Sequence, residues 1–246
     1  MPRGPVDAAR QWLLFAGAYY VYRVVRGMVD GHPNIAFQHA RDIVDFERSL
    51  HTFVEVDIQR WAIDHSFFIH AADWMYVNSH FLVTTTFLVW LYVARNHAYY
   101  FVRNMFLVAM VLALVGYVLF PAAPPRFLPE WGFQDTVEDF FGQGASQTAS
   151  VLYNPYAAVP SMHVAFALMI AVPAIKLVRH EYAKVLWALY PFLVTFVVIS
   201  TGNHFWIDAA LGVLVAAVSA WVASAAFARA RPDAWSWRTA PAEATA

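Results

Sequence analysis

The chain has 246 residues, 60% of them hydrophobic and 13% charged, with a formal net charge of −1. That balance offers no basic surface for nucleic acid, and the lack of any cysteine removes disulfides, thiolate zinc sites and a cysteine nucleophile. Ten Trp, twelve Tyr and twenty Phe fit a membrane protein with aromatic belts better than a soluble domain.

A helix needs about 20 apolar residues to cross the hydrocarbon core. Six segments meet or approach that length: 11–29, 74–94, 104–120, 162–179, 184–201 and 205–228. The expected fold is all-α: a polytopic membrane protein with a six-transmembrane-helix bundle and an extra amphipathic interfacial helix, forming one integral domain over 1–246. The apolar run after Arg10 has no small-residue cleavage site at its end, so it reads as a first span and not a removed signal peptide. Arg23 and Arg26 fall in its last third, where snorkelling to the interface accounts for them.

In segment 30–73, Ile43, Phe46, Leu50, Phe53, Val54, Ile58 and Trp61 recur at helical spacing. Asp42, Asp45, Arg48, Glu55 and Arg60 fill the other faces, which predicts an amphipathic helix over 40–62. It serves either as a packing element or as a lid or headgroup-binding element. The second span carries Asn78 and His80, with Asp73 just before it. Polar groups inside a membrane are functional candidates, although a lone histidine is more often a hydrogen-bonded core residue.

Segment 121–161 opens with Pro121-Ala122-Ala123-Pro124-Pro125-Arg126, whose prolines end the third span and hold Arg126 near the membrane surface. Asp135 and Glu138 resemble a capping box for a short helix through Phe141, followed by a flexible stretch of Gly142, Gln143, Gly144 and Ser146. The run Asn154 to His163 leads into the fourth span. Pro173 and Pro191 are tolerable kinks in membrane helices, and Lys176, Arg179, His180, Glu181 and Lys184 mark the polar turn between the fourth and fifth spans.

With six spans, one side receives Arg3, Arg10, Arg95, Arg103, Lys176, Arg179, Lys184, Arg229, Arg231 and Arg238. The other receives Arg41, Arg48, Arg60 and Arg126, plus Arg23 and Arg26 if they surface there. The richer side, holding both termini, is expected to be cytoplasmic. Segments 30–73 and 121–161 are then extracytoplasmic.

This topology brings Arg126 after the third span, Ser161 and His163 at the start of the fourth, and His204 and Asp208 at the start of the sixth to one extracytoplasmic face. The parts suit phosphorus chemistry. Arg126 can bind phosphate oxygens bidentately. The N-terminus of the fourth helix offers free N–H groups and a favourable dipole, and Ser161 adds a hydroxyl. His204, oriented by Asp208 four residues on, can attack phosphorus, while His163 can protonate the departing oxygen. The plainer reading of His204 and Asp208 is a polar pair that caps a helix.

Pro160-Ser161-Met162-His163 and His204-Phe205-Trp206-Ile207-Asp208 resemble the second and third signature motifs of the type 2 phosphatidic acid phosphatase superfamily. Ala122-Ala123-Pro124-Pro125-Arg126 and Met162 look most like its aureobasidin-resistance branch, which includes fungal inositol phosphorylceramide synthase and bacterial relatives. The resemblance implies a covalent phosphohistidine mechanism without a metal or other cofactor. It casts His204 as nucleophile, Asp208 as its orienting carboxylate and His163 as acid/base. The phosphatase pattern also has a Lys…Arg-Pro motif and a Ser-Arg pair, and here the latter positions hold Val197 and Val198.

Fewer cations around the phosphate favour a phosphodiester donor over a dianionic monoester. The expected activity is therefore a lipid-phosphate phosphotransferase moving a phospho-headgroup, inositol phosphate-like, to an alcohol acceptor. The alternative is a phosphatase using water on phosphatidate or isoprenoid phosphate. Two further classes remain: a metal hydrolase with His163, His204 and Asp208 as ligands, and a non-enzymatic lipid transporter. No Asp-x-x-Asp-Gly motif supports a CDP-alcohol phosphotransferase. The expected location is the cytoplasmic membrane, with the site at its extracytoplasmic face.

Overall fold

The computed structural model describes residues 4–28, 33–141, 154 and 156–227. The expected flexible stretch 142–146 and the basic residues Arg3, Arg229, Arg231 and Arg238 lie outside the described residues, as do the last residues expected for the first and sixth spans.

Ten α-helices are described: α1 (Gly4–Met28), α2 (Pro33–Ser49), α3 (Glu55–Asp64), α4 (Ser66–Trp74), α5 (His80–Ala94), α6 (Asn96–Leu119), α7 (Thr136–Phe141), α8 (Met162–Leu177), α9 (Glu181–Ser200) and α10 (Trp206–Val222). A π-helical turn, Met75–Ser79, joins α4 to α5 without a break. Among the described residues, four helices are long and apolar enough to cross a membrane: Ser66–Ala94, Asn96–Leu119, Glu181–Ser200 and Trp206–Ala226. Their outward faces carry exposed Phe81, Val89, Val111, Val115, Leu189, Phe192, Val213 and Trp221. An apolar surface this extensive is stable only against an apolar medium, so the chain is an integral membrane protein. α1 has the length to span but is less apolar, with Asp7, Arg10, Arg23 and Arg26 along it.

α8 is the central helix. At 16 residues it reaches about 24 Å at 1.5 Å per residue, shorter than the roughly 30 Å hydrocarbon core. It has no need to span by itself, because α5, α6, α9 and α10 enclose it. Ten of its residues are buried, among them Ala165, Ala167, Ala171 and Ala174, whose small side chains let neighbours close in. α10 approaches the start of α8 closely: a Cβ on Gly212 would collide with the Ser161 carbonyl oxygen. α1 is tied to α5 and α6 by a polar network, in which the Tyr92 and Tyr100 hydroxyls each donate to Asp7 Oδ2 at 2.9 Å and Arg103 donates to Gln11.

The amphipathic stretch is two helices, not the single one expected over 40–62. Thr52 N–H donates to the Glu47 carbonyl at 2.9 Å and His51 N–H to the Arg48 carbonyl at 3.0 Å, with His51 at φ 57°. That is a Schellman stop, with histidine in the left-handed position glycine usually fills, so no glycine or proline announces it. α2 then packs its Ala40, Ile43 and Val44 on Ala122, Ala123, Leu128, Phe133, Val159 and Phe205. α3 packs on α9. Together they cover the end of the bundle where α8 and α10 begin.

Candidate active site

α10 starts at Trp206, two residues after His204, so the histidine lies just outside the helix. Phe205 is the N-cap, and its N–H donates to Asp208 Oδ2 at 3.0 Å. The same oxygen stands 3.4 Å from His204 Nδ1. The His–Asp pair therefore arises from the capping turn and not from stacking on one helical face. His204 is 5% exposed and Asp208 fully buried, so the carboxylate has little water to turn to. With Nδ1 engaged, Nε2 is the nitrogen left for chemistry.

α8 begins at Met162 with Ser161 as N-cap, but the serine makes no capping bond. Its backbone N–H donates to the Asp208 carbonyl at 3.0 Å, which locks the start of α8 to the first turn of α10. Its hydroxyl is buried and has no hydrogen-bond partner among the described residues. An orphaned hydroxyl beside an uncapped helix N-terminus is a ready place for an anion.

His163 follows on the first turn of α8. Its ring lies 6.0 Å from that of His204, centroid to centroid, at an interplanar angle of 61°. On its other sides it stacks on Tyr76 at 4.7 Å and meets His80 at 4.4 Å. Both of those residues come from the region of the π turn, a feature that often marks functional positions. His80 in turn stacks on Phe166 at 5.3 Å. Asn78 stays away from this cluster and donates to the Trp74 carbonyl at 3.0 Å.

Arg126 sits in a 3-10 turn, Pro125–Phe127, after α6. Its N–H donates to the Gly202 carbonyl at 2.8 Å. Its guanidinium donates to Asn203 Oδ1 and pairs with Asp135 at 3.2 Å. Gly202 has φ +65°, and a Cβ on it would strike Gln59 Nε2 at 2.7 Å. Only glycine satisfies that turn and that proximity together. Asp135 also accepts from the Glu138 N–H at 3.1 Å and so caps α7, as its spacing predicts.

The five residues singled out from sequence, Arg126, Ser161, His163, His204 and Asp208, are thus gathered at one end of the bundle. One expectation changes. Arg26 does not snorkel outward: its guanidinium lies 5.4 Å from the Tyr117 ring centroid and reaches the Ala157 carbonyl at 3.5 Å. Arg48 lies over the Phe53 and Trp131 rings.

Sequence reading missed Glu47 and Glu55. Both are fully buried, and they accept from the Ile207 and Trp206 N–H groups at 3.2 and 2.9 Å. A signal existed: Glu47 continues the buried stripe Ala36, Ala40, Ile43 and Val44, and Glu55 opens the stripe Gln59, Ala62.

Among the described residues no group of three or more His, Asp or Glu is placed to share a metal ion. A family model described as the PAP2 superfamily matches residues 41–222. No curated protein matches the chain, and no solved structure does.

Proposed function

The chain belongs to the PAP2 superfamily, whose members are phosphatases and phosphotransferases acting on phosphorylated lipids in membranes. On that premise we propose that it is a metal-independent lipid phosphotransferase working through a phosphohistidine. The observation that carries this reading is the 6.0 Å between the His163 and His204 rings, with Asp208 behind His204. Ring centres that close let both imidazoles bear on one phosphate group, one on the phosphorus and the other on an oxygen bound to it.

In the first step His204 Nε2 attacks phosphorus in line. The P–O bond to the lipid breaks as the N–P bond forms, and Nδ1–H is held by Asp208. The departing oxygen takes a proton from His163. Arg126, the Ser161 hydroxyl and the first-turn N–H groups of α8 hold the remaining phosphate oxygens, where charge builds up. In the second step His163, now neutral, accepts the proton of an acceptor hydroxyl. The acceptor oxygen attacks phosphorus, and the N–P bond breaks to restore His204.

The charge inventory supports a diester donor and an alcohol acceptor. Val197 and Val198 stand where the phosphatase pattern has its Ser-Arg pair, and the carboxylate of Asp208 is buried beside His204. A dianionic phosphate monoester is poorly accommodated there. The proline-rich arginine motif and Met162 agree with the aureobasidin-resistance branch. This reading keeps six spans in one domain over 1–246, with α1 and α8 completing the four helices named above. The termini are cytoplasmic and the site extracytoplasmic, following the basic-residue count.

The test is product analysis. Purified protein is given a labelled phosphoinositide, and separately phosphatidate and an isoprenoid phosphate, each with and without a lipid alcohol acceptor. Transfer of label to the alcohol, absent in His204→Ala, is expected. Free phosphate as the main product from the monoesters, with no transfer, replaces the transferase reading with the phosphatase one. No P–O cleavage from any donor overturns both.

A further inference from the structure

The chemistry above uses neither Glu47 nor Glu55, yet both are fully buried against the helix that carries the His–Asp pair. Three consecutive N–H groups at the start of α10 each have a carboxylate of their own. Phe205 donates to Asp208 at 3.0 Å, Trp206 to Glu55 at 2.9 Å and Ile207 to Glu47 at 3.2 Å. The donors at this terminus, which elsewhere make a phosphate site, are consumed by the protein itself. α8, a few ångströms away, keeps its first turn without a side-chain cap.

The two glutamates come from α2 and α3, on either side of the Schellman turn, and their outer oxygens, Glu47 Oε2 and Glu55 Oε2, are buried with no donor. Because they accept from the N–H groups of adjacent residues, Trp206 and Ile207, their carboxyl groups lie side by side. Two ionised carboxylates cannot occupy that arrangement, whereas a carboxylic acid and a carboxylate can.

We propose that Glu47 and Glu55 are positioning residues: they share one proton, and the acid–carboxylate pair clamps the first turn of α10 so that His204 and Asp208 face His163. The clamp closes the N-terminus of α10 to substrate and leaves that of α8 as the place for phosphate. It also makes the α2–α3 segment part of the active-site scaffold. The positioning role rests on the phosphohistidine reading, whereas the shared proton does not.

The pair's ionisation follows its surroundings. Burial, then the charge of Glu55, pushes Glu47 up to about 9. The titratable groups bearing on it are Glu55 from α3 and Asp208 from α10, both acidic. Because the folded-state value lies above the ordinary carboxylate value, the clamp is intact at neutral pH and is lost as pH rises through about 9.

Two measurements test this. The first is infrared difference spectroscopy of the full chain in detergent, Glu47→Gln against wild type. A protonated-carboxyl C=O band is expected at pH 7 in wild type, absent in E47Q and lost as pH rises through about 9. If subtracting E47Q removes no such band, the shared proton is refuted, whatever the enzyme's substrate. The second is the kcat profile from pH 6 to 10 on a labelled lipid phosphate. E47Q, an isostere of the protonated acid, should keep kcat within about threefold at pH 7 and lose the alkaline fall seen in wild type, while E47A loses tenfold or more in kcat with little change in KM. An E47Q profile that overlays wild type, or E47Q as inactive as E47A, overturns the positioning role. If E47A fails to fold, the E47Q profile decides alone.

Discussion

Asp208 uses one oxygen, Oδ2, for two tasks: it takes the Phe205 N–H at 3.0 Å and faces His204 Nδ1 at 3.4 Å. The turn that starts the helix is therefore also the turn that orients the histidine. Asp208→Asn puts an amide in this place, which can accept from Phe205 or from His204 Nδ1–H but no longer stabilises a charged ring. Activity should fall by about 10³–10⁴-fold, as when a triad carboxylate is made an amide, with the thermal midpoint little changed. Steady-state kinetics and thermal unfolding in detergent check this, and a D208N with near wild-type kcat contradicts it.

Arg126 is held by Asn203 on one side and Asp135 on the other, both through its planar guanidinium. Arg126→Lys keeps the charge but not the fork. It should recover little of the loss of Arg126→Ala, which is expected at about 10–100-fold in kcat/KM from a missing charge-assisted contact of about 1.5–3 kcal/mol. Full rescue by lysine would mean that the charge alone matters.

Gly212 has the backbone at the start of α8 where a side chain would be, and a Cβ there would collide with the Ser161 carbonyl oxygen. Gly212→Ala must push α10 off the start of α8. It should destabilise by about 1–3 kcal/mol, the usual range for overpacking, and should also depress kcat, because the displaced contact joins the two histidine-bearing segments. A thermal shift with kcat intact would separate packing from catalysis.

The proposed reaction needs no metal. Activity should survive prolonged treatment with a chelator, and added zinc or magnesium should not raise it. Loss on chelation, reversed by metal, would favour the hydrolase with His163, His204 and Asp208 as ligands.

Much of this site is legible in the chain. The histidines, Asp208 and Arg126 stand at the ends of long apolar segments, and counting segments puts those ends on one side. The residues behind them are less legible for a physical reason. Glu47 and Glu55 look like the polar face of an amphipathic helix, because carboxylates are seldom buried. Only the tertiary pairing with the α10 N-terminus makes their burial tolerable. The stop at His51 lacks the usual glycine, so two helices read as one. The π turn at Met75–Ser79, which brings Tyr76 and His80 to His163, leaves no mark in hydrophobic periodicity. Arg26 turns inward because Tyr117 and the Ala157 carbonyl offer it partners from distant parts of the chain.

The central claim is that one phosphorus atom passes through His204 between the two imidazoles. Its most direct test is to quench the protein during turnover of a lipid labelled in its phosphate and to map the phosphopeptide by mass spectrometry. An acid-labile, base-stable phosphoryl group on His204, absent in His204→Ala and accumulating in His163→Ala supplied with a donor whose leaving group needs no proton, is the predicted result. Turnover with no phosphoenzyme on His204 in either protein would contradict the account.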